Sequence, residues 1–195
     1  MKLIGTQNLE TKRLMLRRLK INDYKEAFKN WYGDKDVAEK SLWHVHKDEE
    51  ETKELFALWS DEYERVNTFR WIIELKETKE LIGLIDSQQS RFETYGAFEV
   101  GFCLTKKYWN NNYMTEALKE VIRFFIEEVE VNVVYAECLS DNIASKRVME
   151  KAGMNLEGTL KNRITNKDYN IKDLLSYSIT RDDYYEKKVI RWKKK

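Results

Sequence analysis

Between Ala97 and Phe125 the spacing of apolar residues changes from every second position to helical spacing. In "AFEVGFCL", Phe98, Val100, Phe102 and Leu104 share one face, and the smaller Ala97, Glu99, Gly101 and Cys103 share the other. In "TEALKEVIRFF", Ala117, Leu118, Val121, Ile122 and Phe125 recur as one helical face. Only a short connection containing "YWNNNYM" separates them. A strand that feeds a strong amphipathic helix this directly predicts a helix packed back on a sheet. The small-residue face of the strand leaves room for a ligand.

That connection can bind an anion. The first N–H groups of a helix lack intrahelical partners, and the helix dipole places partial positive charge there. Such loops are usually glycine-rich, because the backbone must reach positive φ and a Cβ blocks close approach of phosphate. Here Asn110, Asn111 and Asn112 stand in the loop. Taken from these residues alone, the plainer reading is an ordinary strand–helix connection.

The rest of the chain predicts a mixed sheet. "RLMLRRL" (13–19) reads as a first strand. Asn22 or Asp23 caps a helix with Tyr24, Ala27, Phe28 and Trp31 inward. A loop, "GDKDVAEKSLWHVH", follows. Asp48 opens a second helix, with Glu51 as in a capping box and Leu55, Phe56, Leu58, Trp59 and Tyr63 as its apolar face. "FRWIIEL", "LIGLIDSQ" and "AFEVGFCL" are strands, the first two joined by the turn "KETKE". After the long helix come the strand "VNVVYAECL", a helix "NIASKRVMEKAG" stopped by Gly153, a polar hairpin around "TNKD" and a closing strand "NIKDLLSYSIT". The expected order is β-α-α-β-β-β-α-β-α-β, an α/β (α+β) fold in one domain over residues 1–195 with a basic tail at 186–195.

Composition limits the function classes. Of 195 residues, 35 are basic and 34 acidic, a net charge of +1. Nucleic-acid binding needs a clear basic excess, so only the tail "KKVIRWKKK" keeps an RNA-associated reading alive. Cys103 and Cys138 make neither a disulfide framework nor a metal spacing. No apolar run reads as a signal peptide or approaches the roughly 18 residues of a membrane span. The expectation is a reduced, cytoplasmic protein with no membrane or metal partner, monomeric or homodimeric.

The segment from Phe98 to Gly158 resembles the GNAT family of acetyl-CoA-dependent N-acetyltransferases, in particular its RimJ/RimL-type branch. The resemblance rests on "EVGFCL…YWNNNYMTEA" and "NIASKRVMEKAGMNLEG", with "TKRLMLRRL" and "DLLSYSITRDDY" adding to it at the two ends. It implies two parallel strands, "AFEVGFCL" and "VNVVYAECL", that splay to admit the pantetheine arm of acetyl-CoA. Cofactor contacts are implied for Phe102, Cys103 and Leu104 on the strand. The pyrophosphate would lie on Trp109, Asn110, Asn111, Asn112, Tyr113, Met114 and Thr115, the pantetheine on Asn142, and the sulfur near Ser145. The family has glycine at positions 110 and 112. Asparagine is the side-chain-bearing residue that tolerates the left-handed region best, so the loop geometry is expected to survive. The alternative is a non-catalytic binding module with a degenerate loop.

The implied reaction is attack of a neutral primary amine, from a protein N-terminus or a small molecule, on the thioester. A base must take a proton from the amine. The resemblance points to Glu137 for this, with Glu99 on the small-residue face as the other carboxylate. The related acid position is Met149, which has no proton to give, so Ser145 is the donor candidate. Tyr135 and Tyr177 read as core aromatics. In the loop carrying both histidines, Trp43 and His46 are the acceptor-site candidates. His44 and His46 lack a nearby third ligand, which argues against metal.

Overall fold

The computed structural model describes residues 1–41, 43–89, 96–165 and 170–193. Eight strands form one sheet: β1 (Leu9–Glu10), β2 (Leu14–Arg17), β3 (Phe69–Leu75), β4 (Leu81–Gln89), β5 (Ala97–Leu104), β6 (Val133–Leu139), β7 (Asn155–Thr165) and β8 (Ile171–Thr180). Their spatial order is β1-β2-β3-β4-β5-β6-β8-β7. Every neighbouring pair is antiparallel except β5–β6.

On one face of the sheet lies α4 (Tyr113–Phe124), continued by a π-helical turn, Phe125–Val129. Its residues Ala117, Leu118, Val121, Ile122 and Phe125 are at most 1 % exposed, as the helical spacing predicts. They meet Phe69, Trp71 and Phe98 from the sheet, and Phe98 stacks on Phe125 at 5.2 Å between ring centroids. Each fully buried ring of this kind contributes roughly 1.5–3 kcal/mol of transfer free energy. α5 (Ile143–Ala152) packs beside α4, and Gly153 ends it at φ 104°.

The other face carries α1 (Tyr24–Ala27), with a 3-10 turn before it and a π-helical turn after it, then α2 (Lys35–Glu39) and α3 (Glu49–Asp61). Trp31, Phe56, Ile72, Leu84 and Cys103 form the core here. Residues 35–39, expected as loop, are α2. The Asp34 carboxylate caps it through Asp36 N–H (2.8 Å) and Val37 N–H (3.4 Å), and Val37 and Ala38 are buried. α3 is turned slightly from the expected face. Leu58 is 66 % exposed, whereas Thr52 is buried beside Phe56. Its capping box is half formed, because Asp48 accepts from Glu51 N–H but the Glu51 carboxylate accepts from Lys47 N–H.

Two further differences lie at the C-terminal end. β7 is an additional strand on the sheet edge, exposed along most of its length, so alternation does not mark it. Residues 181–193 form a helix, α6, which runs into the segment 186–195 that was read as a tail. The turn "TNKD" lies outside the described residues from 166 onward. The turn "KETKE" is present, and Lys79 takes the left-handed position there at φ 64°.

Candidate active site

The β5–β6 ladder stops early. Ala97, Phe98 and Glu99 pair with Val133, Val134 and Tyr135, and beyond Glu99 the two strands continue without pairing. The sheet therefore opens into a V, as expected. A cavity of about 520 Å³ lies at its open end, between β5, the loop before α4, the start of α5 and the end of α2. Among the expected cofactor residues, Phe102, Cys103, Leu104, Trp109, Asn110, Asn112, Tyr113, Met114, Thr115, Asn142 and Ser145 line it; Asn111 does not.

The loop has the backbone that glycine would give. Asn110 and Asn112 lie in the left-handed region at φ 62° and 59°. Asn112 is the N-cap of α4, yet its side chain makes no cap hydrogen bond, so it leaves the first-turn N–H groups to other acceptors. The loop is pinned from three sides. Trp109 Nε1 donates to Leu104 O (2.7 Å), Arg13 Nη1 donates to Asn111 O (3.2 Å), and Lys151 Nζ donates to Asn112 Oδ1 (2.8 Å). Arg13 also stacks on the Tyr113 ring at 4.0 Å and pairs with Glu116.

Asn142 caps α5 by accepting from Ser145 N–H (3.1 Å), and its Nδ2 donates to Lys40 O (2.8 Å). Val37, Lys40 and Ser41 thereby form one wall of the cavity. Arg13 and Lys151 fall inside the stretches that carry the family resemblance, but Lys40 is not marked by the sequence. A backbone acceptor carries no side-chain signal, and exposed cations on helices and strands look alike.

The carboxylates sit on the α1–α3 face, where Glu99, Gly101 and Cys103 alternate along β5. Tyr135 is half-buried, and its hydroxyl donates to Glu99 Oε2 at 3.2 Å. It is thus a partner of the carboxylate, unlike the core aromatic expected; Tyr177 is core, at 1 % exposed. Glu137 lies two residues beyond Tyr135 on the same face, opposite Ser176 of β8. Met149, in the acid position, is fully buried.

A third carboxylate, Asp86, stands opposite Gly101 on β4. A Cβ on Gly101 would lie 3.1 Å from Asp86 Oδ1, and Gly101 itself is exposed. Burial pushes the Asp86 carboxyl up, and Arg70, 3.6 Å away, only partly opposes this. Arg70 in turn lies over the Trp59 ring at 3.9 Å and pairs with Glu62 at 2.9 Å. The sequence signal for Asp86 is modest: a carboxylate ending the apolar run "LIGLI".

The histidine loop folds inward. His46 is 8 % exposed, stacked on Tyr32 at 4.5 Å, with Nδ1 2.8 Å from Thr52 Oγ1. Trp43 packs partly buried near Tyr32 at 5.6 Å. Neither lines the cavity. His44 Nε2 contacts Glu51 at 2.6 Å. Both thiols are buried and unpaired, and burial raises Cys138 to about 11 and Cys103 higher.

A family profile described as "Acetyltransferase (GNAT) domain" matches residues 13–155. The "Uncharacterized N-acetyltransferase YoaA" of Bacillus subtilis is 27 % identical over 78 % of this chain and 85 % of its own. A GNAT-family acetyltransferase structure from Bacillus anthracis superposes with a TM-score of 0.79 at 24 % identity, over 90 % of this chain and 99 % of that one. The structure of the ribosomal-protein acetyltransferase RimL in complex with coenzyme A gives a TM-score of 0.78 at 17 % identity, over 91 % and 99 % of the two chains. These last two likenesses carry the fold. The family match and the named relatives favour an enzyme over a non-catalytic module. The chain belongs to the GNAT family and is an acetyl-CoA-dependent N-acetyltransferase.

Proposed function

We propose that the acceptor is the α-amine of a polypeptide, that it enters over Gly101 on the α1–α3 face, and that Glu137 takes its proton. The observation that carries this reading is the end of the β5–β6 ladder at Glu99–Tyr135. It leaves a gap between a cavity on one side and carboxylates on the other. The left-handed Asn110 and Asn112 and the uncapped N-terminus of α4 fit a diphosphate, and the part-apolar wall of Phe102, Leu104 and Val148 fits a pantetheine arm.

Acetyl-CoA supplies an activated acetyl thioester. The chain's own groups do the rest. Backbone N–H groups of β5 beyond the end of its pairing with β6 can polarise the carbonyl. Glu137 removes a proton from the incoming ammonium, because only the neutral amine is a nucleophile. Asp86 and Glu99 attract that ammonium, and the Tyr135 hydroxyl orients Glu99. Ser145 lines the cavity, and in this reading its hydroxyl donates to the departing sulfur.

A polypeptide acceptor draws support from the relative named as an alpha-N-protein acetyltransferase. The acidic face favours any cationic amine, so a small diamine is the second reading. Buried, unpaired thiols suit the reducing cytoplasm, where we place the protein. Among the described residues no helix is long and apolar enough to cross a membrane.

The experiment is thiol release from acetyl-CoA with N-terminal peptides, lysine-side-chain peptides and diamines, run across pH in the parent and Glu137→Gln. The reading expects peptide α-amines to be acetylated fastest, and the glutamine variant to lose turnover of about 10²-fold with unchanged cofactor affinity. Preference for diamines overturns the polypeptide assignment. An unchanged pH–rate profile in Glu137→Gln removes Glu137 from proton transfer.

A further inference from the structure

Arg70, Asp86 and Gly101 stand in one row across the sheet. Arg70 pairs in register with Asp86, and Asp86 with Gly101. Gly101 and Glu137 each lie two residues past Glu99 and Tyr135, the last pair of the β5–β6 ladder. The row thus runs from a cation through a carboxylate to the opening, with Glu137 on the far side.

The two oxygens of Asp86 face different ways. Oδ2 lies 3.6 Å from Arg70 Nη2. Oδ1 lies over Gly101, where a Cβ would come within 3.1 Å of it. The glycine leaves that space open. The Asp86 side chain is 23 % exposed and that of Arg70 only 7 %, so the carboxylate can be reached and the guanidinium cannot. Arg70 is enclosed from behind. Its Nη1 donates to Glu62 Oε2 at 2.9 Å, and the Trp59 ring covers the guanidinium at 3.9 Å. Its Nε is buried without a hydrogen-bond partner among the described residues. Leaving a buried donor unpaired costs stability, which points to a role beyond packing.

We propose that Arg70 is a positioning residue for the acceptor: by holding Oδ2 of Asp86 it turns Oδ1 toward an ammonium entering over Gly101. The proposal rests on acceptor entry at Gly101 and adds the residue that prepares it. Arg70 does not touch the acceptor, and its charge is met by Glu62 and Asp86. It also keeps Asp86 ionised. Burial pushes that carboxyl up; Arg70 opposes this, and Glu99 and Glu62 add to it. Tyr32 and Cys103 face the same carboxyl, and burial keeps both protonated. Without Arg70, Asp86 takes up its proton at higher pH and no longer attracts an ammonium.

The test is steady-state kinetics from pH 6 to 9, with the acceptor that the parent turns over fastest among N-terminal peptides and diamines. Asp86→Asn, Arg70→Met, Arg70→Lys and the double variant Arg70→Met/Asp86→Asn are compared with the parent. Asp86→Asn is read first. A parental acceptor KM there overturns acceptor entry at Gly101 and this proposal with it, as does turnover of neither acceptor class by the parent. Given a raised KM, Arg70→Met is expected to raise the acceptor KM about tenfold at pH 7 and to leave the acetyl-CoA KM unchanged. The excess over the parent should shrink as pH rises, because Asp86 regains its charge. In the Asp86→Asn background, Arg70→Met should raise the acceptor KM no further. Arg70→Lys keeps a cation but not the planar fork that serves two carboxylates, so it should restore the pH profile while the acceptor KM stays above the parent's. The lysine variant carries the test alone if melting shows that Arg70→Met does not fold. A lowered melting temperature with parental acceptor KM, an equal rise in both KM values, or the same rise in the Asp86→Asn background would make Arg70 a structural residue and overturn the positioning role.

Discussion

Asn142 Nδ2 donates to the backbone carbonyl of Lys40 at 2.8 Å, across 102 positions of sequence. The same amide's oxygen caps α5 through Ser145 N–H. One buried side chain thus ties the end of α2 to the start of α5 across the mouth of the cavity.

Asn142→Ala removes both bonds. The lost cap and the orphaned Lys40 carbonyl together should cost about 2 kcal/mol. Asn142→Asp keeps an acceptor for the cap but has no donor for Lys40. The expectation is that the aspartate variant recovers at most the stability owed to the cap, because its carboxylate then faces the orphaned Lys40 carbonyl, while the acetyl-CoA KM stays raised in both. Recovery of KM along with stability would show that the tie to α2 plays no part in binding.

At Asn110 the left-handed backbone costs a residue with Cβ roughly 1 kcal/mol, more for a β-branched one. Asn110→Gly should leave the urea midpoint equal to or above that of the parent. Asn110→Val should lower it and weaken acetyl-CoA binding. A valine variant with unchanged stability would mean that the loop relaxes freely out of this conformation.

The β5–loop–α4 unit was legible because two hydrophobic periods meet there, and the left-handed asparagines followed from the position of the family glycines. α2 was not legible: it is five residues long, and its cap Asp34 sits among loop-like residues. β7 is an edge strand with few inward side chains, so no alternation develops. α6 is charged on most sides, and residues 187–195 read as a solvated tail. The α4–α5 side of the candidate site could be assembled from motif spacing. On the acidic side only Glu99 and Glu137 could be named, because Asp86 and Tyr135 acquire their meaning only through strand register, opposite Gly101 and beside Glu99.

Asp86→Asn tests that acidic side. It removes a charge that faces the exposed Gly101 and pairs with Arg70. The KM for the acceptor should rise about tenfold, a loss of ~1.4 kcal/mol, while the acetyl-CoA KM is unchanged. Equal effects on both substrates would place Asp86 in the fold and not in acceptor binding.

His46 gives the fold a pH dependence. Burial lowers its pKa; Glu51 and Asp48 oppose this, and His44 adds to it. As pH falls, the unfolded chain takes up the proton first, near the ordinary value of 6.5. Stability is therefore full above that pH and declines below it, until folded His46 also protonates. In urea unfolding at pH 7.5 and 5.5, the parent should lose more stability than His46→Gln, which cannot titrate. Equal losses would assign the pH dependence to other groups.

The central claim is that the opening between β5 and β6, closed at its phosphate end by the asparagine loop, binds acetyl-CoA for transfer. The most direct measurement is calorimetric titration of acetyl-CoA into the parent and into Asn112→Val. The account predicts saturable one-to-one binding by the parent. It predicts binding weakened at least tenfold in the valine variant, which resists the left-handed backbone at 112. Absence of binding by the parent, or equal binding by the two proteins, would contradict it.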